Sequence, residues 1–338
     1  MCRCDHVTHQ NHIGIIENLK QPFLLGCDLA CDMVTPTEFK EGIKKMKKTL
    51  LITLLFTSSI FATVNVATTY NYLGEVTKAI GGDLVKVDVL SSPKLDPHFI
   101  TPKPSLIGKL RREDLLIING GQLEIGWLPP LLKSANNSKI NAGGSGFLDV
   151  SGAVEMIDKP ASVSRAYGDI HPDGNPHFVT NIHNILPIAE LISMKLAQID
   201  GANSTVYTQN YEKFQTKIEA LIQELDKKQS SCQGKKVIQY HELFNYALSE
   251  LGVQSMGNIE PLPGISPSSK HTLELINLMK KEKITTILQD VYHEKRTAKF
   301  IAEHTGATVK IVPHDVGAVE GSETLTDFYT MVATPICQ

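Results

Sequence analysis

From residue 64 onward the chain carries a recurring rhythm of apolar and polar positions. Val64-Asn65-Val66-Ala67-Thr68 reads as a strand, and the helix from Tyr70 to Ile80 that follows is closed by Gly81-Gly82. Val85-Lys86-Val87-Asp88-Val89-Leu90 alternates with the period of a strand. A short helix over Pro104–Arg112, the buried run Leu115-Leu116-Ile117-Ile118 and a helix over Trp127–Ser134 come next. The rhythm returns with the strand Lys236-Val237-Ile238-Gln239-Tyr240 and a helix over Leu243–Leu251. A helix over Ser268–Glu282, the strand Ile284–Leu288, a helix over Lys295–Thr305, the strand Thr308–Val312 and a helix over Leu325–Val332 complete this second set, and the last helix is expected to be short. Strands alternating with helices imply parallel sheets covered on both faces.

Between the two sets lie helical patterns without strands, Ile185–Gln198 and Tyr207–Lys228. In the second, Tyr211, Phe214, Ile218, Leu221, Ile222 and Leu225 recur at helical spacing with no internal Gly or Pro, so it should be long and stiff. The expected fold is α/β, with an N-terminal lobe over 63–200, a rigid linker helix within 201–230 and a C-terminal lobe over 231–338. Asn136–Ala166 is rich in Gly, Ser and Asn and reads as irregular structure.

The first 62 residues are of a different kind. Lys44, Lys45, Lys47 and Lys48 precede the apolar run Leu50–Phe56, and small residues ending at Ala62 follow. A basic n-region, a short h-region and a small-residue end make residues 46–62 a secretory signal peptide, too short for a membrane anchor, with no cysteine after it for a lipid. Residues 1–45 precede Met46 and read as a spurious upstream extension, although Cys2, Cys4, Cys27 and Cys31 with His6, His9 and His12 have the types of a zinc site. The exported chain then keeps Cys232 and Cys337, which could pair in an oxidising compartment or stay as thiols.

Over 338 residues, 33 Lys+Arg against 36 Asp+Glu leave a net charge of −3, which argues against nucleic acid as a partner. Phosphate-loop, HExxH, GxSxG and GxGxxG signatures are absent; His241-Glu242 starts a zincin pattern that Asn245 breaks. Histidines are more informative. His98, His177, His241 and His314 each stand at a strand-to-loop or loop position, where ligands bind beyond the carboxyl ends of strands in open α/β sheets. A lone histidine there is ordinarily a cap or a surface residue, but four together point to one cleft. Imidazoles with a carboxylate suit zinc best and manganese less well. His171 is a candidate for a supporting position; His183, His271, His293 and His304 read as surface residues.

Asp96-Pro97-His98-Phe99-Ile100-Thr101-Pro102-Lys103-Pro104-Ser105 resembles the DPHxxxPxPS motif of the zinc and manganese receptors of ABC importers. Asp114–Gly120, Leu123-Glu124 and Trp127-Leu128 resemble a second stretch of these solute-binding proteins, and Gly168–His177 a variant of their second histidine motif. The likeness runs from about Val64 to Tyr329. It implies two lobes bridged by one long helix, and one metal between them on His98, His177 and His241. A carboxylate after the last strand, Asp315, would be the fourth ligand, with the adjacent His314 as its alternative. Two features depart from the family: Phe178-Val179-Thr180-Asn181 follows His177 where a Trp-Leu-Asp-Pro-like run is usual, and the His-rich acidic loop of many zinc members is missing. The implied function is a monomeric periplasmic receptor that passes zinc, or manganese, to a membrane permease. A small closure and weaker binding below the histidine pKa of roughly 6.5 are expected. A receptor for an organic solute and a secreted zinc hydrolase, with His171, Glu242 or Asp315 as base, are the rival readings.

Overall fold

A computed structural model describes residues 63–161, 171–229 and 231–338. The signal-peptide segment, the upstream cysteines and histidines, and Gly168, Asp169 and Ile170 of the second histidine motif lie outside the described residues.

The first sheet has four parallel strands, β1 (Val64–Thr68), β2 (Val85–Val89), β3 (Leu115–Ile118) and β4 (Phe147–Asp149), in the order β2-β1-β3-β4. The second repeats the arrangement with β5 (Lys236–Gln239), β6 (Gln254–Asn258), β7 (Thr286–Gln289) and β8 (Thr308–Ile311), in the order β6-β5-β7-β8. The central strands β3 and β5 are nearly or wholly buried; β3, Leu-Leu-Ile-Ile, is apolar throughout, as helices covering both faces require, and β5 carries Val237 and Ile238 at its middle. Helices α1 (Asn71–Gly81), α2 (Pro104–Leu110) and α3 (Leu128–Ala135) belong to the first lobe. Helices α4 (Ile185–Ile199) and α5 (Ser204–Gln229) connect the sheets. The second lobe holds α6 (Asn245–Glu250), α7 (Ser269–Glu282), α8 (Arg296–Thr305) and α9 (Leu325–Cys337).

The 26-residue α5 packs on α1 and α4 of the first lobe and on α9 of the second. One continuous apolar core runs from Leu73, Ile80 and Ile188 through Phe214 and Ile218 to Phe244, Phe328 and Val332. A second cluster, with Ile238, Leu275, Ile287 and Ile301, fills the far side of the second sheet. Because the lobes share the first core, swinging them apart would expose apolar surface at about 25 cal/mol per Å².

Three elements differ from the sequence expectation. β4 falls inside the stretch read as irregular, and β6, Gln-Ser-Met-Gly-Asn, carries no apolar pattern; both are outer strands held by backbone pairing on one side. α9 is not short: it continues through Pro335 to Cys337, where the Cys232–Cys337 disulfide ties it to the segment before β5. Among the described residues no helix is long and apolar enough to cross a membrane.

Candidate metal centre

His98 follows β2 in a turn that three groups fix. The Asp96 carboxylate accepts from the His98 backbone N–H at 2.9 Å and from its ring Nδ1 at 2.7 Å. The Pro97 carbonyl accepts from the Tyr70 hydroxyl at 3.0 Å and from Trp127 Nε1 at 3.2 Å. Burial raises the Asp96 pKa, but the bonds from His98 outweigh it and hold the carboxyl below its ordinary value. An ionised carboxylate only accepts, so Nδ1 is the donor to Asp96 and Nε2 is the nitrogen left to face a ligand.

His241 stands two residues beyond β5 and is treated the same way. Its Nδ1 donates to Glu260 Oε2 at 2.8 Å, and Glu260 follows β6. The other oxygen, Oε1, lies 3.3 Å from His293 Nε2, whose Nδ1 is 2.7 Å from Asp290 after β7. Burial alone would lower the His293 pKa, yet hydrogen bonds to Asp290 and Glu260 raise it to about 9. Glu260 is pushed up by burial and pulled down further by His241 and His293, to about 2. His293 is therefore a cation between two carboxylates and not the surface residue its sequence position suggested. A histidine three residues after a buried strand-end Asp was the available signal.

His177 comes from the segment between the lobes. Gly174, at φ 118°, makes the turn before it, where a Cβ would lie 2.6 Å from the Ile157 carbonyl. The Asn175 side chain caps the His177 N–H at 2.9 Å and donates to the Glu242 carbonyl at 2.8 Å, while Tyr246 of the second lobe donates to the Asn175 carbonyl at 2.7 Å. Asn119 of the first lobe donates to the Pro176 carbonyl at 3.1 Å, so the His177 segment is clasped by both lobes. Its Nε2 is buried without a hydrogen-bond partner, a costly state for a polar atom unless something else satisfies it. Burial first, and neighbouring imidazoles second, push its pKa well below the ordinary value, so the ring is neutral at pH 7.

The three rings meet in a near-equilateral triangle, with centroids 5.1 Å apart for His98–His177, 5.5 Å for His98–His241 and 5.4 Å for His177–His241. One ring nitrogen from each lies within 4.8 Å of the others. His171 stacks on His98 with Nε2 to Nε2 at 3.2 Å, and burial, with the neighbouring His98 and His241, drops its pKa to about 3. A tetrahedral ion with donors at about 2.0–2.1 Å separates adjacent donors by about 3.3–3.4 Å. The His98–His171 spacing matches that edge, and the triad would need to contract by at most about 1.4 Å per pair to reach it.

Asp315 and His314 are placed otherwise. Asp315 accepts from the backbone N–H groups of Asn71 and Tyr72 at 2.9 Å each and of Val316 at 2.8 Å, so it caps α1 and bolts the β8–α9 loop to the first lobe. Burial raises its pKa to about 6 against the pull of those three bonds. His314 packs edge-on against Tyr292 with its Nδ1 buried and unpartnered, and burial lowers its pKa to about 4. Like His171, neither joins the group of His98, His177 and His241 within 4.8 Å, but unlike His171 neither comes within hydrogen-bond distance of a ring in it. Of the remaining histidines, His271 bonds the Asn258 carbonyl at 2.9 Å, His304 bonds Phe300 at 2.8 Å on an exposed face, and His183 pairs with Glu250.

The family model for the zinc-uptake complex component A, periplasmic (ZnuA), matches residues 66–337. The metal ABC transporter substrate-binding lipoprotein ScbA of Streptococcus cristatus is 23% identical over 274 residues, covering 80% of this chain and 85% of its own. The manganese ABC transporter substrate-binding lipoprotein PsaA of Streptococcus pneumoniae is 24% identical over 276 residues, covering 80% and 85%. A crystal structure of ZnuA superposes with a TM-score of 0.67 at 22% identity, over 81% of this chain and 98% of that one. The chain belongs to the family of periplasmic component A proteins of zinc-uptake complexes, which are substrate-binding receptors and not enzymes.

Proposed function

We propose that the protein is an exported periplasmic receptor, acting as a monomer, that captures one zinc ion between its lobes and presents it to the permease of an ABC importer. Manganese is the alternative cargo, and relatives of both kinds are known: a zinc-binding lipoprotein, AdcA, and the manganese lipoprotein PsaA. His98, His177 and His241 are the ligands, and His171 takes the fourth place assigned from sequence to Asp315 or His314. The observation that carries this reading is the meeting of three imidazoles from both lobes, two of them held by carboxylates so that Nε2 faces inward.

All-nitrogen ligation favours zinc over manganese, which prefers oxygen donors. His177 and His171 are already neutral, so no proton has to leave them before an ion binds. The shared core and the linker helix restrict closure to ring and loop movements of the size given above. Delivery then requires the permease to part ligands that neither lobe holds alone. Residues 46–62 serve export, and the mature receptor begins near Thr63.

The test is a zinc titration against a chromophoric chelator on wild type and on His98→Ala, His177→Ala and His241→Ala. Each variant should lose at least a hundredfold in affinity; wild-type affinity in any two of them would overturn the assignment.

A further inference from the structure

Outside the inter-lobe centre, one more group of ligand-type side chains converges among the described residues. His183, Asp226 and Glu250 each place one donor atom within 4.8 Å of the other two. They come from three different elements: His183 from the single 3-10 turn Ile182–Asn184, Asp226 from the last turns of α5, and Glu250 from the end of α6. His183 Nε2 and Glu250 Oε1 are 3.1 Å apart, close to the edge of a tetrahedral zinc site of about 3.3 Å. Asn181 supports the pair: its Oδ1 caps the His183 N–H at 2.9 Å, and its Nδ2 donates to Glu250 Oε2 at 3.4 Å. The three donors rim a concavity floored by Leu225, Leu251, Tyr329 and Val332.

We infer that His183, Asp226 and Glu250 form a second, weaker divalent-metal site, with zinc as its best ligand, where the linker helix meets both lobes. One imidazole and two carboxylates, partly exposed and with room for water, make an open site that binds and exchanges zinc readily. Its position gives it a consequence for the main centre. His183 lies six residues after His177, in the same run of turns. Glu250 ends the helix that begins four residues after His241. Thr180 lies between, bonding the His177 carbonyl at 3.1 Å and the Leu243 carbonyl at 3.4 Å. An ion at the second site ties α5 to the two segments that carry His177 and His241, and so favours the arrangement in which those rings are close. The inference does not rest on the inter-lobe assignment, and the variants separate the two.

The experiment uses zinc chloride as the probe. Protein from Thr63 to Gln338 is dialysed at a series of free zinc concentrations and its zinc content measured by mass spectrometry, for wild type, His183→Ala, Asp226→Asn and His98→Ala. Wild type should take up a first equivalent and, at higher free zinc, a second. His183→Ala and Asp226→Asn should keep the first and weaken the second at least tenfold, while His98→Ala should lose the first and keep the second. All substituted positions at the second site are partly exposed, so folding is expected to survive; a far-UV spectrum checks this. A wild type that never exceeds one equivalent, or a second equivalent unchanged in both His183→Ala and Asp226→Asn, would overturn the second site and leave the first standing.

Discussion

Replacing Glu260 by alanine removes a group that touches no metal and yet should cost the receptor most of its affinity. Glu260 fixes the His241 ring through a 2.8 Å bond and shares the His293 cation with Asp290. Partners of this kind are worth 10- to 100-fold in metal affinity, or about 1.4–2.7 kcal/mol. Where in that range a given partner falls depends on how well water can replace it. The Glu260 side chain is 8% exposed and its His241 partner 7%, so water has little access; Asp96, which plays the same part for His98, is 25% exposed. Glu260→Ala should therefore weaken zinc binding by about 100-fold, Asp96→Ala by about tenfold, and Glu260→Gln, which keeps an acceptor, by about tenfold. The assay is chelator competition at pH 7 on protein whose far-UV spectrum matches wild type. A zinc dissociation constant within twofold of wild type in Glu260→Ala would refute the claim that orientation of His241 matters.

Asp315→Ala should retain its zinc equivalent but unfold at lower denaturant, because loss of the α1 cap costs about 1–2 kcal/mol; loss of zinc with unchanged stability would restore Asp315 as a ligand. Replacing Cys232 and Cys337 together by serine opens a loop of 105 residues, and should cost about 2–5 kcal/mol in urea unfolding; no change would mean the bridge does not form. His293 has its pKa raised to about 9 in the folded protein, so its stabilising effect is complete below its unfolded value of about 6.5 and disappears as pH climbs through 9. Metal-free wild type should thus lose stability between pH 7 and 9.5, and His293→Gln should show a flatter profile over that range; parallel profiles would remove the cation from the network.

Much of this was legible in the chain because it rests on local pattern. The six strands with apolar or alternating sequence were placed to within about two residues, since each must bury at least one face. β4 and β6 were not: β4, Phe147-Leu148-Asp149, is too short to show a period and follows a Gly- and Ser-rich stretch, and β6, Gln-Ser-Met-Gly-Asn, is an outer strand of mostly small and polar residues held by its neighbour's backbone. His98, His177 and His241 stand where strand ends and family motifs both point. The surroundings of the site were harder to read. The role of His293 depends on Glu260, 33 residues upstream on another strand's loop, and no spacing rule connects the two. Asp315 sits at the position expected of a ligand, yet three backbone N–H groups 243 to 244 residues upstream, or beside it, claim its oxygens. His171 follows a stretch outside the described residues, and only its 3.2 Å approach to His98 marks it for the fourth place.

The most direct test of the inter-lobe centre is metal content by mass spectrometry. Protein beginning at Thr63 is stripped, reloaded from an equimolar zinc–manganese mixture, and dialysed until weakly held ions are gone. The histidine triad predicts about one zinc per chain with little manganese, and neither metal in His98→Ala or His177→Ala. Retention of no metal by wild type, or equal retention by wild type and both variants, would contradict capture between the lobes and favour an organic solute as the cargo.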